Sequence, residues 1–334
     1  MKEIKIGYKL IGDGHTTFII AEAGLNHDGN PEQAKELINE AKKAGADAVK
    51  FQIYYIEDYC NVTSKYYGPL KSIQLDEAHW KEIAQFAASK GIMFTSSVFC
   101  ERSANLLEEL GSPAYKIASG DLTHFPLLRH VSKKNKPVIL STGMATIGEV
   151  DEALGELCKS GNRQVALLHC VSNYPARFEE TNLRAIRTLK NIFKIPVGLS
   201  DHSTSTVIPA AAVAMGANII EKHFTLDNNL PGADHSLSLE PEEFRQLVEN
   251  IRAVEKALGD GLKRPTESEK EMRKLARRSI TAKADIAKGS PISADKLKVV
   301  RPGTGIGSKF MDIMLGKTAK RNIKENETMS WEDI

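Results

Sequence analysis

From residue 18 onward the chain repeats one pattern of apolar and polar positions. A short, nearly continuous apolar run is followed by a loop rich in Gly, Ser, Asn or Asp, then by a longer stretch with apolar residues three and four apart. The short runs read as strands buried on both faces, and the longer stretches as helices with one apolar stripe. Strands are predicted at 18–23, 48–52, 93–98, 114–119, 138–142, 165–170, 197–201 and 218–224. Local signals agree. Asn30 and Pro31 supply an N-cap and a first-turn proline, Leu37, Ile38 and Ala41 share a face, and Gly45 stands where that helix should stop. After Pro241, residues Phe244, Leu247, Val248, Ile251 and Leu258 recur at helical spacing before Gly259. Repeated strand–helix units mean a parallel sheet, either closed or doubly wound. The count of eight selects the closed (β/α)8 TIM barrel, and no Gly-x-Gly-x-x-Gly follows the first strand to support a dinucleotide-binding sheet.

The two ends of the chain depart from the repeat. Residues 3–11 alternate, Ile4, Ile6, Tyr8 and Leu10 against Lys5, Gly7 and Lys9, and reach a turn at Gly12-Asp13-Gly14. This predicts a short hairpin strand that plugs the barrel bottom. Residues 262–278 are polar and densely charged, which fits a linker with a partly helical end. Residues 279–334 hold short β-like runs and turn signals such as Arg301-Pro302-Gly303, predicting a small, mostly β module. A module of about 55 residues is close to the lower limit for a self-sufficient core, so it is expected to lean on something else. The expected organisation is a barrel over 1–261, a linker over 262–278 and the small domain over 279–334.

In such barrels chemistry sits at the carboxyl ends of the strands. The first four strand ends deliver Glu22, Asn26 and His27, then Lys50 and Gln52, then Ser96 and Ser97, then Lys116, Ser119 and Asp121. The fifth and sixth add Ser141, Thr142 and Gly143, then His169, Ser172 and Tyr174. The last two strands flank one helix, so they are parallel neighbours that set His202 and His223 side by side on this rim. Two lysines among hydroxyls and glycines make a cradle for a small, dense anion. Two neutral imidazoles hold a divalent cation only partly, leaving positions for water and a substrate oxygen, as a Lewis acid requires. The loop after the last strand adds Asp227, Asp234 and His235 to the cation candidates. Glu22 and Asp121 are the carboxylates for acid–base work or for holding a polyhydroxy substrate. Taken singly, each residue has a structural reading. A barrel lysine can be salt-bridged, a serine can end a strand, and His169, flanked by Leu167, Leu168 and Cys170, reads as a hydrogen-bonded core group. His27 and His235 are open to either role. Joint placement at one rim is the functional signal.

Composition acts by exclusion. A net charge of +2 argues against a broad nucleic-acid footprint. The four cysteines, Cys60, Cys100, Cys158 and Cys170, show no C-x-x-C pairing, which argues against structural zinc and a disulfide framework. No apolar run reaches membrane-spanning length and residues 1–20 carry no signal-peptide pattern, so no membrane is expected and the cytoplasm is the expected location.

Six motifs in fixed order carry a resemblance. They begin at Ile20 (through Ala21, Glu22, Ala23, Gly24, Leu25, Asn26 and His27), Val49 (Lys50, Phe51, Gln52) and Ala114 (Tyr115, Lys116, Ile117, Ala118, Ser119, Gly120, Asp121). The others begin at Ile139 (Leu140, Ser141, Thr142, Gly143, Met144), Gly198 (Leu199, Ser200, Asp201, His202) and Glu221 (Lys222, His223, Phe224, Thr225). Together they resemble the sialic acid synthase family, which includes N-acetylneuraminate synthase and the synthases of legionaminic and pseudaminic acids. The run from Val300 to Gly305 is similar to that family's C-terminal antifreeze-like (SAF) domain. The resemblance implies a (β/α)8 barrel that condenses phosphoenolpyruvate with open-chain N-acetylmannosamine, giving N-acetylneuraminic acid and phosphate by C–O cleavage with divalent-metal activation of the aldehyde. It implies that Lys50, Ser97, Lys116, Ser119, Ser141, Ser172 and Ser200 hold phosphoenolpyruvate, and that Gln52, Tyr174 and Asp234 contact the sugar. Arg301 would reach the sugar from the other subunit of a domain-swapped homodimer. His202 and His223 would bind Mn²⁺, with Mg²⁺ or Co²⁺ as alternatives, and Glu22 and Asp121 would serve catalysis. Two departures bear on the substrate. Asp121 stands where many of these synthases have glutamate, and Ser172 where some have asparagine. A 2,4-diacetamido-2,4,6-trideoxy sugar, leading to N,N'-diacetyllegionaminic acid, is therefore the competing acceptor.

Two other readings fit some of these residues. A Schiff-base aldolase could use Lys50 or Lys116 with no metal and no phosphoenolpyruvate. A carbohydrate- or ice-binding protein would fit the C-terminal end but has no need of two lysines and two histidines on one rim.

Overall fold

The computed structural model of the chain describes residues 3–159 and 161–334, and these divide into two compact units, Met1–Gly259 and Asp260–Ile334. The first opens with an antiparallel hairpin of β1 (Ile4–Ile6) and β2 (Lys9–Ile11). Eight parallel strands then close a barrel: β3 (Phe18–Gly24), β4 (Ala48–Ile53), β5 (Met93–Val98), β6 (Tyr115–Ile117), β7 (Val138–Ser141), β8 (Val165–Cys170), β9 (Val197–Asp201) and β10 (Ile219–His223). Neighbours follow chain order, and β10 returns to pair with β3. The barrel expected from eight repeats is the fold observed.

The period of two along each strand explains both its core and its site. Outward positions such as Ile19, Val49, Leu140, Val197 and Ile220 pack under the helices. Inward positions near the amino ends, among them Phe18, Ile20, Ala48, Met93, Ile139, Leu168 and Ile219, form a second cluster. Ile4, Ile6 and Ile11 of the hairpin join that cluster, so the hairpin plugs the barrel bottom as predicted. Burying each such side chain contributes about 1.5–3 kcal/mol. Asp47 fastens the plug, accepting from the Ile19 N–H at 2.9 Å and pairing with Lys9. Higher on the same inward faces the residues become Glu22, Lys50, Ser97, Lys116, Ser141, Ser200 and Glu221, all buried.

The helix Pro31–Lys43 starts as its sequence suggests, with the Asn30 side chain accepting from the N–H groups of Glu32 and Gln33. Three strands end short of the expected bounds, β7 and β10 by a residue at one or both ends and β6 by the most. Strand β6 stops at Ile117 because Ser119–Asp121 form a 3₁₀ turn, the Asp121 N–H donating to the Ala118 carbonyl. That turn aims Ser119 Oγ at β7, where it accepts from the Gly143 N–H at 3.0 Å.

In the second unit β11 (Ser279–Ala282) pairs antiparallel with β12 (Leu297–Val300) over a small core that includes Ile280, Ile286, Ile292, Ile306, Met314 and Met329. The charged stretch before it contains the helix Glu269–Ala276, none of whose side chains is buried. Its end is tied to this unit: the Gly303 N–H donates to Lys274 O at 2.7 Å, and Arg301 Nε to Ala276 O at 2.9 Å. Among the described residues no helix is long and apolar enough to cross a membrane.

Candidate active site

The carboxyl ends of the barrel strands enclose a cavity of about 460 Å³. It is lined by Glu22, Lys50, Gln52, Ser97, Lys116, Ser119, Ser141, Tyr174, Ser200, His202, His223 and Asp234, twelve of the positions singled out in the sequence. Leu25, Tyr59, Tyr66, Phe99, Ala118, Cys170 and Glu221 complete the wall.

The floor is a buried charge network. Lys50 Nζ lies 2.7 Å from Glu22 Oε2 and 3.6 Å from Glu221 Oε2, and donates to Ser97 Oγ at 2.9 Å. Lys116 Nζ lies 3.6 Å from Glu221 Oε1, which also accepts from Ser200 Oγ at 2.9 Å. The strand register brings these groups together, with Glu22 beside Lys50, Ser97 beside Lys116 and Glu221 beside Ser200. Burial works against the charge on Lys50, but the two carboxylates outweigh it and leave its pKa above the ordinary lysine value. For Lys116 burial wins over Glu221, and the pKa falls. Burial pushes the Glu22 carboxyl up to about 7, with Lys50 offsetting only part of the rise and Glu221 adding to it. Burial also opposes ionisation of Glu221, but Lys116 and Lys50 outweigh it and hold its pKa low.

On β7 the buried Ser141 Oγ has no hydrogen-bond partner among the described residues. Next to it a Cβ on Gly143 would run into Ser172 Oγ and come within 2.8 Å of Ser119 Oγ, so only glycine leaves this corner open. Opposite, a bulge between Glu22 and Gly24 lets Asp234 approach. A Cβ on Gly24 (φ +54°) would lie 3.3 Å from Asp234 Oδ2 and 3.4 Å from Gln52 Nε2. Gln52 Nε2 itself donates to Glu22 Oε1 at 3.2 Å.

The imidazoles of His202 and His223 lie above the network with ring centroids 5.4 Å apart, and the Tyr174 ring packs against His202 at 4.1 Å, tilted by 36°. His202 Nδ1 is 2.8 Å from the Val171 carbonyl, which makes Nδ1 the donor and leaves Nε2 with a free lone pair. Burial lowers the pKa of His202, but contacts with Cys170 Sγ and the Val171 carbonyl more than offset it. Burial, reinforced by His202 and the lysines, keeps His223 far below the ordinary histidine value and hence neutral. Its Nδ1 is buried with no hydrogen-bond partner among the described residues, 3.9 Å from Asp234 Oδ2. An orphaned neutral imidazole nitrogen beside a second imidazole suits a divalent cation. Among the described residues no group of three or more His, Cys, Asp or Glu side chains is positioned to hold an ion unaided. Water or substrate oxygens would have to complete its shell.

Of the residues given a role through the resemblance, three lie outside the cavity wall. Asp121 is half-buried on the 3₁₀ turn, its Oδ1 3.7 Å from His124 Nδ1, and burial raises it to about 6 against His124 and Lys116. Ser172 Oγ sits 4.0 Å from Cys170 Sγ, beside Gly143. Arg301 is an exposed residue of the second unit. Of the open histidines, His27 is packed against Phe51 and Trp80, and burial takes it down to about 4 against Asp28. His235 bridges Thr225 Oγ1 and Asp28 Oδ2. His169 bonds the Thr181 carbonyl at 2.8 Å, the structural role read from its flanks. Asp227 accepts from the Asn229 backbone and side chain in its own loop and does not line the cavity.

Sequence reasoning missed Glu221, the carboxylate shared by both lysines. A signal was available: Glu221 is two residues before His223 on one strand, so both face the barrel interior.

The sequence pattern of the NeuB family matches residues 37–263, and that of the SAF domain matches residues 277–334. The chain belongs to the NeuB family. Among relatives of this NeuB-family chain, an uncharacterised protein of Methanocaldococcus jannaschii is 50% identical over 100% of this chain and 99% of its own length. The N,N'-diacetyllegionaminic acid synthase of Legionella pneumophila is 42% identical over 98% of this chain and 97% of its own. A solved structure of an N-acetylneuraminic acid (sialic acid) synthetase from Leptospira borgpetersenii, in complex with citrate, is 39% identical with a TM-score of 0.78. It covers 81% of this chain and 95% of its own.

Proposed function

We propose that the chain condenses phosphoenolpyruvate with an open-chain N-acylated amino-hexose, giving a nine-carbon 2-keto sugar acid and phosphate. The observation that carries this reading is the pair of buried lysines, Lys50 and Lys116, sharing Glu221 beneath two imidazoles in one cavity. The phosphate and carboxylate of phosphoenolpyruvate would lie among Lys50, Lys116 and the hydroxyls of Ser97, Ser119, Ser141, Ser172 and Ser200. C3 of the enol ether bonds to the aldehyde carbon, whose oxygen takes up a proton. Water adds at C2, and the tetrahedral carbon expels phosphate by C–O cleavage. Lys50 and Lys116 stabilise the anionic groups throughout. Glu22, raised to about 7 and bonded to Gln52 on the sugar side, can give or accept a proton at neutral pH. His202 and His223 would hold a divalent cation, Mn²⁺ being the first choice, which when bound would polarise the aldehyde as a Lewis acid. Gln52, Tyr174 and Asp234 would contact the sugar. Arg301 would contribute from a second copy of the chain in a domain-swapped dimer.

Of the two acceptors, N-acetylmannosamine and the 2,4-diacetamido-2,4,6-trideoxy sugar, the second is favoured. The cavity wall formed by Leu25, Tyr59, Tyr66, Phe99 and Ala118 offers apolar surface for a C6 methyl and a second acetyl group. The Legionella pneumophila relative, an N,N'-diacetyllegionaminic acid synthase, agrees with that choice.

The test offers a panel of acetamido sugars with phosphoenolpyruvate and Mn²⁺ and follows phosphate release with and without chelator. Release confined to metal-loaded protein, fastest with the diacetamido sugar, supports the reading; no release with any sugar refutes it. Phosphoenolpyruvate labelled with ¹⁸O at the bridging oxygen should deliver the label to phosphate. The depressed pKa of Lys116 suits a Schiff-base aldolase, the second reading. Borohydride inactivation that requires pyruvate would select it.

A further inference from the structure

Behind the two imidazoles, on the outer face of the barrel, lies an ion pair that the proposed chemistry does not use. Lys222 has no solvent exposure, and Asp201 beside it is also buried. They are register partners on adjacent strands, with Lys222 Nζ 2.6 Å from Asp201 Oδ2. Lys222 Nζ also donates to the backbone carbonyl of Ser203. Asp201 in turn accepts from the Ser203 N–H and from Ser203 Oγ, each at 3.0 Å. Lys222 therefore grips the chain on both sides of His202 while being the residue immediately before His223.

A buried ion pair is a poor way to gain stability, because removing both charges from water costs about as much as their attraction returns. What such a pair does supply is a fixed geometry. Resting on the metal reading above, we propose that Lys222 and Asp201 are positioning residues that hold the His202 and His223 rings at the separation and orientation a divalent cation needs. Neither touches substrate. Their side chains point outward while Ser200, His202, Glu221 and His223 face the cavity, so the pair sets one dimension of the site from behind the sheet. Hydrogen-bonded groups behind metal ligands commonly change ion affinity about 10–100-fold when removed.

The experiment titrates the metal-free full chain with Mn²⁺ and reads the free ion by electron paramagnetic resonance, needing no turnover. It compares the parent with Lys222→Met and with Lys222→Met/Asp201→Asn, and measures each denaturation midpoint. The single variant leaves a buried carboxylate unpaired and should lose both stability and Mn²⁺ affinity. The double variant removes both charges and keeps an acceptor for Ser203, so its midpoint should recover while its Mn²⁺ Kd stays at least tenfold above the parent's. At saturating Mn²⁺ its KM for phosphoenolpyruvate should match the parent's. A double variant whose Kd is within twofold of the parent's overturns the proposal and leaves only a structural role. If the double variant does not fold, Asp201→Asn alone, which keeps the shape, must still weaken Mn²⁺ binding severalfold, and unchanged binding overturns the proposal equally. A parent chain that leaves all Mn²⁺ free overturns the metal reading along with it.

Discussion

Glu221→Gln removes one charge from the centre of the site and nearly nothing from its volume. Lys50 keeps Glu22 at 2.7 Å, but Glu221 is the carboxylate paired with Lys116, and its loss leaves that ammonium buried without a counter-charge. Breaking a buried pair from one side typically costs about 3–5 kcal/mol. The structure sets a ceiling, since Lys116 can release its proton. At pH 7 that step costs about 4–5 kcal/mol for a lysine of ordinary pKa. A loss of about 3 kcal/mol in a unit of this size lowers Tm by roughly 6–12 °C. The ligand should then reverse the defect. Phosphoenolpyruvate brings the negative charge that Glu221 supplied, so saturating ligand should narrow the gap between variant and parent, and the variant should bind the ligand more tightly. Thermal and urea unfolding at pH 7, with and without phosphoenolpyruvate, read both effects. Lys116→Met/Glu221→Leu serves as the control: with both charges gone, much of the stability should return while phosphoenolpyruvate binding does not. A ligand-free Glu221→Gln midpoint within 1 °C of the parent, or a gap that phosphoenolpyruvate leaves unchanged, would refute the charge-sharing argument.

Burial raises Glu22 from an ordinary carboxyl to about 7, so the folded chain holds this proton where the unfolded chain has released it. Its contribution to stability should therefore fall as pH rises from about 4.5 to about 7 and level off above, a slope that Glu22→Gln abolishes in pH-dependent urea melts. The same variant should lose turnover, and a wild-type rate would remove Glu22 from the mechanism. Gly143→Ala places a methyl against Ser172, Ser119 and Cys170, and should raise KM for phosphoenolpyruvate at least tenfold while Tm moves little, as steady-state kinetics with calorimetry can check. If Arg301 completes the site of a partner subunit, mixing Lys116→Met with Arg301→Ala should restore activity that neither variant has alone. No restoration after subunit exchange counts against the swapped arrangement.

The fold was legible because its rule is local. Each strand shows a run of apolar residues and each helix its 3.6-residue stripe, and counting the units gives the barrel without any long-range information. The misreadings fall where that rule gives way to hydrogen bonding. Ala118 and Ser119 look like a continuing strand, yet the Ala118 carbonyl closes a 3₁₀ turn with the Asp121 N–H. Twelve of the fifteen positions given a role through the resemblance line one cavity, because strand ends of a parallel barrel share a rim whatever the side chains are. Asp121 reads as a carboxylate at the end of the fourth strand, and the 3₁₀ turn there leaves it outside the cavity wall.

The charge state of the site was not legible in the same way, because it depends on contacts between distant strands. From the chain alone, Lys50 and Lys116 look like an open anion trap. In the folded protein they are already balanced by Glu22 and Glu221, and the cavity floor carries as many acids as bases. Two unpaired lysines could not be buried 2–3% exposed without strain on the fold, so the carboxylates are what permit the trap to exist before its ligand arrives. An anion must then compete with them, and the competitor that can yield is Glu22, whose carboxyl is half-protonated near pH 7. Glu221, held ionised by both lysines, keeps the pair apart and oriented. In the proposed condensation, anion binding and proton movement at the Glu22 carboxyl would thereby be linked through the shared Lys50.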